Sequence, residues 1–225
     1  MNLVNAQQAT LNILRDDYNI KETVQAELNL NVTLVNKITP SNFFLIDENN
    51  EVIPIALFLE QLSKNQYFAY FNIPEIKQSK YYLEVRDMRY IDQEDGLLKQ
   101  ISVKSSFNLL NQTLDNTSLS IGPGIILRNQ KLNLINNLEA INITIELPEG
   151  NFHKNILLID KYSFNVYVNE KDYDIKILYD NKEYIIPVIN LNKLMQNETI
   201  IEIINETNVT IKPPINSIIF LNSTF

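Results

Sequence analysis

Apolar and polar residues alternate with period two over short stretches of this chain, the pattern of strands that bury one face. In Ile141-Asn142-Ile143-Thr144-Ile145 the three isoleucines share one side, and Asn and Thr share the other. Phe164-Asn165-Val166-Tyr167-Val168, Tyr81-Tyr82-Leu83-Glu84-Val85 and Val209-Thr210-Ile211 read the same way. Ile177-Leu178-Tyr179 and Tyr184-Ile185-Ile186 flank Asp180-Asn181-Lys182, which predicts a hairpin. Helical spacing is scarce: Ile55 to Leu62 and the Leu191-Leu194-Met195 pattern are the best candidates. At the N-terminus Val4, Leu11, Leu14 and Tyr18 have loose heptad spacing, but a first strand with a frayed start is the better expectation.

Composition strengthens the β reading. Among 225 residues there are 32 Ile and 32 Asn but only 6 Ala and 4 Gly, the reverse of what helices favour. With so few glycines, turns that need positive φ must use Asn or Asp. At 45% apolar the chain is not of disordered composition. About seven short strands in each half predict an all-β protein of two tandem, related β-sandwich domains, spanning 1–112 and 113–225.

The relatedness of the halves is read from echoes along the chain. Ile13-Leu14-Arg15 recurs as Ile126-Leu127-Arg128, and Leu30-Asn31-Val32-Thr33-Leu34 as Ile141-Asn142-Ile143-Thr144-Ile145. Leu45-Ile46-Asp47 recurs as Leu158-Ile159-Asp160, Lys80–Val85 is echoed by Lys182–Val188, and Ile101–Lys104 by Val209–Lys212. Residues 1–110 and 111–225 each carry a net charge of −4, and the segment 111–118 is the expected join.

Tyr67-Phe68-Ala69-Tyr70-Phe71-Asn72-Ile73-Pro74, leading into Tyr81, resembles strands E and F of immunoglobulin-like domains. That resemblance implies a corner role for Tyr81, its hydroxyl bonding upstream backbone. An ordinary interfacial tyrosine is the alternative, and patterning does not separate an Ig-like Greek key from a jelly roll.

Composition and charge narrow the function. With no Cys there is no thiol nucleophile, disulfide or thiolate metal site, and one His excludes a multi-His centre. Gly122-Pro123-Gly124 is too short to cradle a phosphate. A net charge of −8 without clustered Lys or Arg argues against nucleic acid as a partner. No apolar run is long enough for a transmembrane helix, and Met1–Gln8 does not read as a secretory signal. His153 reads as an exposed loop residue. Asp92-Gln93-Glu94-Asp95-Gly96 and Asp47-Glu48-Asn49-Asn50-Glu51 read as solvated acidic turns rather than Ca²⁺ sites. No catalytic residue, cofactor or metal is expected.

Sequons are the exception to this quiet chemistry. Asn-x-Ser/Thr occurs at Asn31, Asn111, Asn116, Asn142, Asn197, Asn205, Asn208 and Asn222, where composition alone predicts roughly three. Seven of the 11 threonines stand two residues after an Asn. On strands, Asn31 with Thr33, Asn142 with Thr144 and Asn208 with Thr210 are expected on the outward face, with Val32, Ile143 and Val209 inward. This predicts N-linked glycans and a life on a virion or an extracellular surface.

Tandem sandwiches, sequons, no cysteine and an Ile/Asn/Tyr-rich composition give a non-enzymatic structural protein as the leading reading. In these traits the chain resembles capsid vertex (penton-base and turret) proteins of turreted icosahedral archaeal viruses, which are built from jelly rolls. The resemblance implies self-association, in pentamers, and assembly with other capsid or surface proteins. The alternatives are an archaeal cell-surface or filament glycoprotein with Ig-like domains, and a glycan-binding module or glycosidase, which needs only two carboxylates.

Overall fold

The computed structural model describes residues 8–110, 118–137, 139–147 and 152–191, and the backbone of 201–203 and 209–211. It is all-β. The first nine strands are β1 (Ala9–Ile13), β2 (Asp17–Tyr18), β3 (Thr23–Leu30), β4 (Phe43–Ile46), β5 (Val52–Ile53), β6 (Phe58–Ser63), β7 (Gln66–Asn72), β8 (Lys80–Ile91) and β9 (Leu98–Leu109). They form one sheet of order β1-β3-β7-β6 and another of order β2-β9-β8-β4-β5. Every pairing is antiparallel except β2 with β9. In immunoglobulin lettering this is A-B-E-D against A′-G-F-C-C′, so the Greek key is Ig-like and not a jelly roll.

The next seven strands repeat that order. They are β10 (Leu119–Gly122), β11 (Gln130–Asn136), β12 (Ile141–Leu147), β13 (Phe152–Leu158), β14 (Lys161–Val166), β15 (Tyr173–Tyr179) and β16 (Lys182–Val188). The sheets are β10-β11-β14 and β13-β12-β15-β16, with Ile126 bridging Val188 in parallel where β2 meets β9 in the first sandwich. No strand among the described residues corresponds to β6, so β14 is an edge. β17 (Ile201–Ile203) and β18 (Val209–Ile211) pair with each other.

Period-two patterning accounts for the cores. Val24, Ala26, Leu28 and Leu30 of β3 face Leu83, Val85 and Phe107 in one cluster. Ile141, Ile143 and Ile145 of β12 join Ile175, Ile177, Tyr184 and Ile186 in another. Each such side chain contributes on the order of 1.5–3 kcal/mol by leaving water.

Turn chemistry also follows the sequence. Four of the five non-glycine residues with positive φ are Asn50, Asp87, Asp180 and Asn181. Asp180 (φ 49°) and Asn181 (φ 58°) make the two-residue turn of the β15–β16 hairpin, where Tyr179 pairs with Lys182.

Several expectations are corrected. Ile55 to Leu62 is not a helix: Phe58–Ser63 is the edge strand β6, whose backbone bonds to β7 outweigh a weak helical periodicity. In the leading segment Ala9–Ile13 is strand β1, in line with the expected first strand, while Val4 and most of the Leu191-Leu194-Met195 pattern lie outside the described residues. The echoes align non-equivalent elements. Leu30–Leu34 runs off the end of β3, strand B in the immunoglobulin lettering, whereas Ile141–Ile145 lies in β12, strand C. Lys80–Val85 opens strand F and Lys182–Val188 is strand G. The halves are alike in strand order, but alternating Ile/Asn segments look alike wherever they fall.

Candidate functional site

A dense polar cluster lies where the two sandwiches meet. β3 is buried on both faces at its start, because Thr23 and Gln25 point away from their own core toward the second sandwich. Gln25 Nε2 donates to the carbonyls of Gly124 and Ile185, both at 2.8 Å. Thr23 Oγ1 accepts from the Ile121 N–H at 2.7 Å. Ser118 Oγ donates to the Ile20 carbonyl at 2.5 Å, and Ser120 Oγ to that of Lys21. Beside these bonds Leu62, Phe68 and Ile125 form a separate apolar cluster spanning the junction. Gly124 is required there, since a Cβ would lie 2.7 Å from Tyr70 Cγ.

At the centre is Glu22, immediately before β3, whose side chain is fully buried. Its Oε2 accepts from Arg15 Nη2 at 2.6 Å and from the Asn19 N–H at 2.9 Å. Its Oε1 accepts from Tyr179 Oη at 2.6 Å and Lys182 Nζ at 3.0 Å, both from the second sandwich. The Arg15 guanidinium lies between the Tyr18 ring (4.4 Å) and the Tyr184 ring (4.6 Å).

Electrostatics hold the three tyrosines and the guanidinium of the cluster in their protonated forms. Burial pushes the Tyr18 phenol up to about 12. Burial, then the Glu22 charge, raises Tyr179, and burial, then Tyr179 and Glu22, raises Tyr184. For Arg15 desolvation opposes the charge, and the neighbouring tyrosines and Glu22 outweigh it, so the guanidinium is held above its usual value. A buried carboxylate that accepts from four donors on both sandwiches fastens one to the other. Nothing in sequence spacing marked these residues, because Tyr179 and Lys182 meet Glu22 only when one sandwich docks on the other.

The sequence-predicted residues fall elsewhere. Asn31 is exposed, but in a bend after β3 rather than on a strand, and Val32 is half-buried rather than inward. The strand ends at Leu30 because the chain turns away to begin the B–C connection. Asn142 is exposed on β12, and Thr144 donates to Asn155 Oδ1 at 2.7 Å. Asn111, Asn116, Asn197, Asn205, Asn208 and Asn222 lie outside the described residues. His153 is exposed, but on strand β13 instead of a loop, 3.3 Å from the Glu146 carboxylate.

Both acidic turns close on themselves. Asp47 accepts from the N–H groups of Asn49 and Glu51, whereas Asp92 and Asp95 meet Lys99. The Lys99 bonds hold both carboxyls below the usual carboxylate range. Among the described residues no three His, Asp or Glu side chains are grouped to hold a metal ion.

Tyr81 does occupy the corner, its Oη donating to the Lys77 carbonyl at 2.6 Å. A second corner escaped the sequence reading: Tyr173, at the start of β15, donates to the Tyr167 carbonyl at 2.8 Å. Its place before Asp174-Ile175, like that of Tyr81 before Tyr82-Leu83, was the available signal. Two corners in two sandwiches are an Ig-like feature that strand order alone does not require.

No family model and no curated protein matches the chain. Among solved structures it is similar to a DUF4785 family protein of Legionella pneumophila, at 11% identity and TM-score 0.35, covering 81% of this chain and 56% of that one. It is similar to the adhesin InvE of Yersinia pseudotuberculosis, at 10% identity and TM-score 0.25, covering 80% and 58%. It is also similar to the Escherichia coli adhesin FdeC, at 10% identity and TM-score 0.28, covering 83% and 64%. The chain spans less than two thirds of the length of each. Strand order and the tyrosine corners, not these likenesses, establish the Ig-like fold. Because the sandwiches are not jelly rolls, the resemblance to capsid vertex proteins loses its structural ground.

Proposed function

We propose that the chain is a non-enzymatic surface module in which two Ig-like sandwiches are held at a fixed angle, a structural or adhesive element of a cell surface. The observation that carries this reading is the junction. A flexible tether would need neither a buried carboxylate shared by both sandwiches nor an apolar plug beside it. Fixed geometry is what a surface protein uses to hold a binding face away from its base.

In this reading the sequons carry N-linked glycans, with Asn31 and Asn142 both accessible to them, and the module associates with copies of itself or with other surface proteins. Protease treatment of intact source cells should remove the antigen, and native protein should exceed the 26.1 kDa of the bare chain. An antigen protected until the cells are lysed would sink the surface reading. A bare intact mass would remove the glycans alone.

A further inference from the structure

On the flank of the junction two adjoining concavities, of about 810 and 450 Å³, share Phe58, Tyr70, Pro123 and Gln130 in their walls. The Phe58 ring lies on Tyr70 with centroids 5.0 Å apart and planes 13° from parallel. Phe58 is nonetheless 57% exposed, so its other face is turned to the groove. An edge-strand phenylalanine stacked this way is held flat by its neighbour without being covered.

The charge of the groove departs from that of the chain. Its charged lining residues are Glu60, Arg128, Lys131 and Lys161, three cations and one carboxylate in a protein of net charge −8. Among the described residues none of the three cations is paired with a carboxylate. Amides stand among the lining residues, beside apolar ones such as Pro123, Leu127 and Val168. Asn129 uses its Oδ1 to accept from the Val168 N–H, which leaves its NH₂ to donate, and Gln130 stands between the two concavities. Burial, then Glu60, raises the Tyr70 phenol, so its hydroxyl stays protonated.

A flat aromatic face takes the C–H side of a pyranose ring, amides and a carboxylate take hydroxyls, and unpaired cations take carboxylates. We infer that this groove binds an acidic oligosaccharide, with a sugar ring stacked on Phe58 and uronate-type carboxylates at Arg128, Lys131 and Lys161. Two adjoining concavities suit several linked sugars rather than one. A single-stranded nucleic acid would also meet rings and cations, but one stacking ring and a strongly acidic remainder of the surface disfavour it. The inference adds a ligand to the surface module and does not depend on where the protein resides.

The test uses the purified full chain in biolayer interferometry against octasaccharides of polygalacturonate and hyaluronan, with malto-octaose and an oligo-dT of similar length as comparators. An acidic saccharide should bind, more weakly as NaCl rises. Phe58→Ala and Lys131→Glu should each weaken it roughly ten-fold, while Phe58→Tyr and the remote Lys37→Ala should leave it intact. The inference is overturned if neither acidic saccharide binds, if malto-octaose binds as tightly, if oligo-dT binds more tightly, or if Phe58→Ala changes nothing. Because Phe58 is exposed, folding of that variant is expected, and circular dichroism checks it. A protein shown to be intracellular could still pass this test, and a surface protein could fail it, so the two readings fall separately.

Discussion

Replacing Glu22 by Gln keeps the side chain's shape and removes one negative charge from a site with no solvent access. All four partners of the carboxylate are donors: Arg15 Nη2, the Asn19 N–H, Tyr179 Oη and Lys182 Nζ. An amide must turn its own NH₂ toward one of those pairs. Only Tyr179 can answer by rotating its hydroxyl to accept. All four bonds lose the carboxylate's charge, a bond to a charged group being worth about 1.5–3 kcal/mol, and the two mostly buried cations, Arg15 and Lys182, are left without a counter-ion. Breaking a buried ion cluster this way costs about 3–5 kcal/mol.

The assay is urea and thermal unfolding followed by circular dichroism. The native chain should unfold in one transition, because the junction couples the sandwiches. Glu22→Gln should lose about 3–5 kcal/mol, lower the midpoint by roughly 6–20 °C, and split the transition as each sandwich unfolds by itself. Adding Lys182→Met should recover about 1 kcal/mol or more, because it removes one of the orphaned charges. A loss under about 1 kcal/mol with a single transition would refute the claim that this cluster fastens the junction.

Three further outcomes follow from the same geometry. Tyr81→Phe and Tyr173→Phe each remove a corner bond to a carbonyl, so each should cost about 1 kcal/mol in chemical denaturation, and the pair should add because they lie in different sandwiches. Gly124→Ala places a Cβ against Tyr70 Cγ; it should cost about 1–3 kcal/mol and shift the amide resonances of Gln25 and Tyr70, and an unchanged spectrum would contradict the tight approach. Stability should hold up to about pH 10 and then fall as pH rises toward 12. The folded state keeps the Tyr18 proton up to about 12, with Tyr179 and Tyr184 also raised, whereas the unfolded chain releases its phenolic protons near 10. Tyr18→Phe should flatten that decline, read from unfolding midpoints across the alkaline range.

Period-two runs, scarce Ala and Gly, and Asn or Asp at turns made the β class legible in the chain, down to the Asp180-Asn181 hairpin and the Tyr81 corner. These are local properties, since alternation, positive φ and a corner tyrosine each act within a few residues. Strand order was not legible. Ile141–Ile145 resembles Leu30–Leu34 because both alternate, yet they end in different places in their sandwiches, and only long-range pairing distinguishes them. Phe58 passed for part of a helix because its strand is defined by β7, a neighbour supplied from elsewhere in the chain. The junction was still further from view. Glu22 is an ordinary acidic residue in the sequence and becomes a buried four-donor acceptor only when Tyr179 and Lys182, more than 150 residues later, dock against it. The sequence by itself determined which face most strands turn to their own core. The tertiary structure decided which buried groups meet, because charge pairing and groove shape depend on distances that no local pattern encodes.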